Sequence, residues 1–254
     1  MIQLEIDGRR VVTEEGRTLL EAARAAGIAI PTLCHHEALE PFGGCRLCVV
    51  EAAPAGSAEP AELVVSCMAP ARDGLVVRTA SERVKEARRT VLDLLLARCP
   101  TSDVIRRMAA EHGVTKTSFP ESTDGSKCIL CMLCERVCAK IGAHAIGGSG
   151  KSRGKRIAAP FDMAAEDCIG CLACARICPT GHIGYEETPD ERTIWGRTFR
   201  MVRCEVTGKP LMTEEQRAFE AKRAGLSEEY FTKCPEAKRR ETAKTIAKAF
   251  EEVR

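Results

Sequence analysis

Residues 2–13, "IQLEIDGRRVVT", alternate apolar and polar side chains on either side of Asp7-Gly8. Period-two alternation around an Asp-Gly pair predicts a β-hairpin. The period changes at "TLLEAARAAG" (18–27), where Leu19, Leu20, Ala23 and Ala26 recur at helical spacing and Gly27 supplies a stop. Strand-like runs return at 47–52, "LVVSC" (63–67) and "GLVVRT" (74–79), with a small-residue surface loop at 52–62. Ser81 caps a predicted helix over 81–98 with an apolar face of Val84, Ala87, Val91, Leu94 and Leu95. A second helix over 102–112 ends at His112-Gly113. The segment 186–254 is charged and reads as helical towards its end, where "AKTIAKAFEEV" puts Ile246, Ala249 and Phe250 on one side.

Composition narrows the function. The 254-residue chain has a formal net charge of +2 and 29% charged side chains, an ordinary solvated surface that excludes nucleic-acid binding by bulk basic charge. Aromatic residues make up only 4%, too few for a base-stacking platform. The longest apolar run, "VLDLLLA" (91–97), is far short of a membrane span. The segment "MIQLEIDGRR" has no signal-peptide hydrophobic region. Fifteen cysteines in that setting predict a reducing, cytoplasmic compartment and thiols that bind metal rather than pair as disulfides.

Two cysteine runs match each other. "CILCMLCERVC" carries Cys128, Cys131, Cys134 and Cys138; "CIGCLACARICP" carries Cys168, Cys171, Cys174 and Cys178. Both have the C-x2-C-x2-C-x3-C spacing of bacterial ferredoxins, in which three thiolates wrap one face of a [4Fe–4S] cubane and the fourth cysteine serves the other cluster. By that rule Cys128, Cys131, Cys134 and Cys178 hold one cluster, and Cys138, Cys168, Cys171 and Cys174 the second. Pro179 follows the second run, whereas Ala139 stands after the first. Structural zinc prefers two separated C-x2-C knuckles and fits these runs poorly.

A third set, Cys34, Cys45, Cys48 and Cys67, has the layout of a plant-type [2Fe–2S] loop with a longer first gap. Gly43 and Gly44 let the backbone pass close to a cluster. The histidines His35 and His36 read as an exposed or loop-capping pair rather than as tuning groups.

"IPTLCHHE", "GGCRLCVVE" and "VVSCMAP", followed by the two-run segment, resemble the N-terminal part of the large iron–sulfur subunit of respiratory complex I. The same parts occur in iron–sulfur (diaphorase) subunits of NAD-linked or electron-bifurcating hydrogenases and of formate dehydrogenases. The resemblance covers residues 1–185 and implies an α+β chain in four parts. These are a β-grasp [2Fe–2S] ferredoxin-like domain (1–80), a helical connector (81–120), a bacterial-type 2[4Fe–4S] ferredoxin domain (121–185) and a helical C-terminal extension (186–254). It also implies one [2Fe–2S] and two [4Fe–4S] clusters. The implied partners are a flavin/NAD(H)-binding subunit and a catalytic subunit of hydrogenase or formate dehydrogenase type in a hetero-oligomer, with hydrogenase favoured. No active site of the chain's own is expected.

Relatives often hold another [4Fe–4S] cluster on an H-x3-C-x2-C-x5-C pattern. Here "LLLARCPTSDVIRRMAAEHGV" keeps only Cys99, so that cluster is expected to be absent and electrons to leave the [2Fe–2S] domain by another route, such as a partner's cluster. His112 reads as a helix-end histidine. "AIGGSGKS" (145–152) fails as a phosphate loop and reads, with "KSRGKR", as a flexible basic surface loop. In "RCEVTGKP" and "KCPEAKRR", Thr207 and Ala237 stand where a zinc ribbon needs cysteine, so no zinc is expected at Cys204 and Cys234. The competing reading of the whole is a freestanding multi-cluster ferredoxin; a cluster-based sensor lacks a DNA-reading module.

Overall fold

The structure, a computed structural model, describes residues 1–252 and all their side chains except those of Arg153 and Glu252. Val253 of the expected terminal helix lies outside the described residues. The chain divides into two units: the first comprises residues 1–137, 150–156 and 177–182, the second 138–149, 157–176 and 183 onward.

In the first unit, β1 (Ile2–Ile6) and β2 (Arg9–Thr13) form the expected antiparallel hairpin. Leu4, Ile6 and Val11 point into a core, as their alternation dictates. Thr18 caps α1 (Leu19–Ala25) in a capping box: its hydroxyl accepts from Glu21 N–H at 3.2 Å, and the Glu21 carboxylate accepts from Thr18 N–H at 2.7 Å. Three further strands, β3 (Val49–Pro54), β4 (Glu62–Val65) and β5 (Leu75–Arg78), complete a sheet of order β2-β1-β5-β3-β4 in which β1 and β5 are parallel. Leu19, Leu20, Ala22 and Ala23 of α1 pack on this sheet, the β-grasp arrangement.

Ser81 and Ser102 cap α2 (Glu82–Arg98) and α3 (Asp103–Glu111). Both helices bury one side, Leu92 and Leu96 from α2, Ile105 and Ala109 from α3. That core also contains Cys34, Cys45, Leu47, Cys99, Ile129, Cys131 and Leu133. The connector helices are therefore a wall shared by two cysteine loops. His112 ends α3, its Nδ1 2.9 Å from Met108 O.

Helix α4 (Leu133–Ile141) carries Cys134 and Cys138 one turn apart. Around the expected surface loop at 145–156, β6 (Gly147–Ser149) and β7 (Arg156–Ala158) form a two-stranded ribbon. Gly150, at φ +76, lets the chain reverse there. Helix α5 (Ala173–Ile177) follows the second cysteine loop.

The extension 186–254, expected to be helical towards its end, is so, but it begins with strands that the sequence reading did not foresee. Four antiparallel strands, β8 (Glu186–Glu187), β9 (Glu191–Ile194), β10 (Arg197–Arg203) and β11 (Pro210–Thr213), precede the helices α6 (Glu214–Ala224) and α7 (Pro235–Glu252). Phe199 of β10 is fully buried. On α7, Ile246 and Phe250 are exposed. Among the described residues no helix is long and apolar enough to cross a membrane.

Candidate metal centres

Cys34, Cys45, Cys48 and Cys67 are all buried, on the loops that flank β3 and follow β4. The thiols act on one another in two pairs. Cys34 beside Cys45 holds the Cys45 thiol down to about 6, with the amides of Leu47 and Leu33 helping, while Cys34 itself is pushed up. Cys67 does the same for Cys48, which falls to about 6, and is pushed up in turn. Cys45 N–H also donates to Cys34 Sγ at 3.3 Å. Gly43 (φ +66) and Arg46 (φ +60) turn the loop, and a Cβ on Gly43 would lie 2.9 Å from Met68 Cγ. Four converging thiols with backbone amides aimed at sulfur suit a centre that takes four thiolates.

The matching runs build alike. In the first, Leu130 (φ +54) and Met132 (φ +60) bracket Cys131; in the second, Gly170 (φ +67) and Leu172 (φ +62) bracket Cys171. These left-handed residues turn amides towards sulfur: Gly170 N–H donates to Cys168 Sγ at 3.4 Å, and Leu130 N–H serves Cys128 in the same way. Gly170 is required, since a Cβ there would lie 2.8 Å from Thr213 Cγ2 and 3.0 Å from the Phe199 ring.

Within the first unit, Cys178 lies close enough to Cys128 and Cys131 to raise both thiols, after burial, which pushes Cys131 to about 11. His182 N–H donates to Cys178 Sγ at 3.3 Å. Cys134 is buried at the start of α4. Within the second unit, Cys138, Cys168, Cys171 and Cys174 line one apolar cavity with Ile194 and Trp195. Ala145 N–H donates to Cys138 Sγ at 3.3 Å. The chain thus brings Cys178 near Cys128 and Cys131 of the first run, and Cys138 together with Cys168, Cys171 and Cys174 of the second. A pocket with four thiols, apolar walls and amide donors fits a [4Fe–4S] cluster and fits no hydrated ion.

The structure also brings the first two sites together. Cys34 and Cys45 share one packed core with Cys131, and Cys45 is among the charges that raise the Cys131 thiol. Arg136 on α4 donates from Nη1 to Cys34 O at 3.3 Å. Arg88, 7% exposed, donates to Leu47 O at 3.2 Å and Val49 O at 2.9 Å, the carbonyls on either side of Cys48. In the second unit, Arg197 donates to Cys168 O at 2.9 Å, the Thr213 hydroxyl to Ile169 O, and Arg192 to Gly170 O at 2.6 Å. Reading the sequence missed all of these, because each acts on a carbonyl, which carries no residue signature.

The remaining candidates stand apart. Cys99 is fully buried among α2 and α3 residues, and burial lifts its thiol to about 12. His36 Nδ1 accepts from Ala38 N–H at 3.1 Å, a loop cap, and burial lowers the His35 pKa. Cys204 and Cys234 are adjacent: Cys234 N–H donates to Cys204 Sγ at 3.3 Å and Ala237 N–H to Cys234 Sγ at 3.3 Å. The Thr207 hydroxyl and the Cys234 amide hold the Cys204 thiol down to about 6.

Comparison with known proteins places the chain by its domains. Residues 1–82 match the family model for a 2Fe-2S iron-sulfur cluster binding domain, and residues 127–209 match that for a 4Fe-4S dicluster domain. The chain is 34% identical over 219 residues to NADP-reducing hydrogenase subunit HndD of Solidesulfovibrio fructosivorans, covering 74% of this chain and 36% of that one. It is 30% identical over 182 residues to the mitochondrial NADH-ubiquinone oxidoreductase 78 kDa subunit of Candida albicans, covering 61% and 25%. The chain therefore spans a quarter to about a third of the length of these curated relatives. Among solved structures, one chain of the crystal structure of an NAD+-reducing [NiFe]-hydrogenase in the H2-reduced state superposes with a TM-score of 0.60 at 32% identity, covering 71% of this chain and 86% of that one.

Proposed function

The chain belongs to the family of iron–sulfur subunits that join a 2Fe-2S cluster binding domain to a 4Fe-4S dicluster domain, and on that premise we propose that it relays electrons inside a multisubunit NAD-linked oxidoreductase. In this reading Cys34, Cys45, Cys48 and Cys67 hold one [2Fe–2S] cluster. Cys128, Cys131, Cys134 and Cys178 hold a first [4Fe–4S] cluster, and Cys138, Cys168, Cys171 and Cys174 a second. Residues 81–120 connect the sites without adding another. The observations that support the reading are the mutual influence of the Cys34, Cys45, Cys48 and Cys67 thiols, the closeness of Cys178 to Cys128 and Cys131, and the cavity lined by Cys138, Cys168, Cys171 and Cys174.

When bound, such clusters accept and release single electrons. The protein's part is to hold and shield them. Cys34, Cys45 and Cys131 in one dry core support direct exchange between the first two sites, in place of the detour through a partner that the loss of the His/Cys3 pattern suggests. Arg136 fixes the spacing of that pair, and α2 and α3 exclude water beside it.

We assign the donor or acceptor at one end to a flavin/NAD(H) subunit and at the other to a catalytic subunit. The likeness to hydrogenase chains favours hydrogenase over formate dehydrogenase. The test is iron and acid-labile sulfide on the anaerobically purified chain, with EPR of its reduced form. About ten irons, with one [2Fe–2S] and two interacting [4Fe–4S] signals, is the expected result. Zinc in place of iron would end the electron-transfer reading. Gel filtration of native extract tests the assembly, since a mobile carrier elutes as a monomer.

A further inference from the structure

The single tryptophan of the chain occupies an unusual place. Ile194 pairs with Arg197 across β9 and β10, so Trp195 and Gly196 form a two-residue hairpin turn. Both have positive φ, +52 and +72. Such turns favour asparagine, aspartate or glycine at the first position, and a bulky aromatic there is strained by about 1 kcal/mol or more. Something must hold it.

What holds it is the second cysteine site. Trp195 Nε1–H donates to Cys174 Sγ at 3.4 Å, and the ring lines the cavity that the four cysteines share. The same sheet grips the cysteine loop from behind through the Arg197, Thr213 and Arg192 bonds to three successive carbonyls. Arg192 is 5% exposed and is itself fixed by Glu187, Nη2 to Oε2 at 2.5 Å. The donor is therefore aimed by a rigid frame and not by chance rotation.

We propose that Trp195 is a tuning residue of the second [4Fe–4S] site, raising its reduction potential by donating its indole N–H to the Cys174 ligand sulfur. This rests on the reading that a cluster binds there. A hydrogen bond to a ligand sulfur stabilises the more negative, reduced form and so shifts the potential upward. The effect is local, because the indole serves one sulfur of one site. The β8–β11 sheet then has a function: it makes the two [4Fe–4S] sites, alike in their cysteine spacing, unequal.

The experiment is an EPR-monitored redox titration of the full chain as wild type, as W195F, and with its one tryptophan replaced biosynthetically by benzothienylalanine. That isostere keeps the ring's shape and removes only the N–H. Iron is counted in each, and wild-type tryptophan fluorescence is recorded before and after cluster removal. The expected result is unchanged iron, with one [4Fe–4S] component moved to more negative potential in both replacements and the [2Fe–2S] signal unmoved. Unchanged potentials at full iron content overturn the proposal. So does a shift in W195F that the isostere does not reproduce, since ring bulk would then be the cause. Should W195F lose the cluster, the isostere alone decides. About six irons in the wild type, with fluorescence unaffected by cluster removal, would instead sink the assignment of a cluster to this site.

Discussion

Arg136 hydrogen-bonds the carbonyl of Cys34 across 102 residues of sequence, Nη1 to O at 3.3 Å. Its second terminal nitrogen reaches Glu40 O, and its guanidinium lies 5.4 Å from the centroid of the Phe42 ring. Because Arg136 stands two residues after Cys134 on α4, one side chain ties the loop of Cys34 to the helix that carries Cys134. Hydrogen bonds from a charged donor contribute about 1.5–3 kcal/mol when buried, and partial exposure lowers that here. R136A is expected to destabilise the chain by about 1–2 kcal/mol and to weaken the magnetic interaction between the [2Fe–2S] signal and the nearer [4Fe–4S] signal. Wild-type line shapes in reduced R136A would show that the packed core alone sets the spacing.

The proposed exchange of ligands between the runs predicts an asymmetric result. C178S alters the second run yet is expected to remove the first [4Fe–4S] cluster, and C138S alters the first run yet removes the second. Each should lower iron by about four atoms per chain. C99S should lose none, since Cys99 is sealed in a helical core with its thiol lifted by burial. Iron content and EPR of the three variants decide. Loss of the cluster nearest in sequence would mean that each run keeps its own fourth cysteine.

Arg88 places a buried positive charge against the two carbonyls that flank Cys48, with no carboxylate at ion-pair distance among the described residues. Its pKa is lowered by burial, and the nearby Cys48 thiol counters that. Asp7 also counters the effect of burial on this charge, and in the proposed reading Arg88 would face the [2Fe–2S] site. R88K keeps the charge but not the fork and is expected to keep the [2Fe–2S] potential near wild type. R88M removes the charge and should shift that potential negative while costing about 2–4 kcal/mol from two orphaned carbonyls. A redox titration in which R88M matches wild type would assign Arg88 a purely structural role.

The same contrast explains what the sequence revealed. Cluster ligation imposes short covalent spacing, so Cys128 to Cys138 and Cys168 to Cys178 are legible at sight. The hairpin at 2–13 follows one clear period, and the helix at 82–98 is marked by its Ser81 cap, but its buried side runs through Val84, Leu92 and Leu96, while Leu94 of the expected apolar face is exposed. The residues that orient the cysteine loops leave no such trace. Arg88 acts 41 positions from Leu47, and Thr213 acts 44 positions from Ile169. The strands around Trp195 were hidden for another reason. They are short and studded with Arg and Glu, so charge masks the alternation, and only the buried Ile194, Phe199 and Val202 mark the inner face.

The adjacent thiols of Cys204 and Cys234 give a final prediction. The Thr207 hydroxyl lies 3.8 Å from Cys234 Sγ, and Ala237 N–H donates to the same sulfur. These are the two positions that a four-thiolate zinc site would require as cysteines, and the backbone there already brings its donors to sulfur. Two thiols alone hold zinc weakly, because a structural site uses four protein ligands. The double variant T207C/A237C is therefore expected to bind about one equivalent of zinc, while the wild-type chain retains none after dialysis. Binding should also raise the Tm of the variant, since zinc would favour the folded state over the unfolded one. Zinc analysis and thermal scans of both chains check this. No uptake by the variant would mean that Cys204 and Cys234 only pack against Leu211 and Ala237, and that their closeness owes nothing to a metal site.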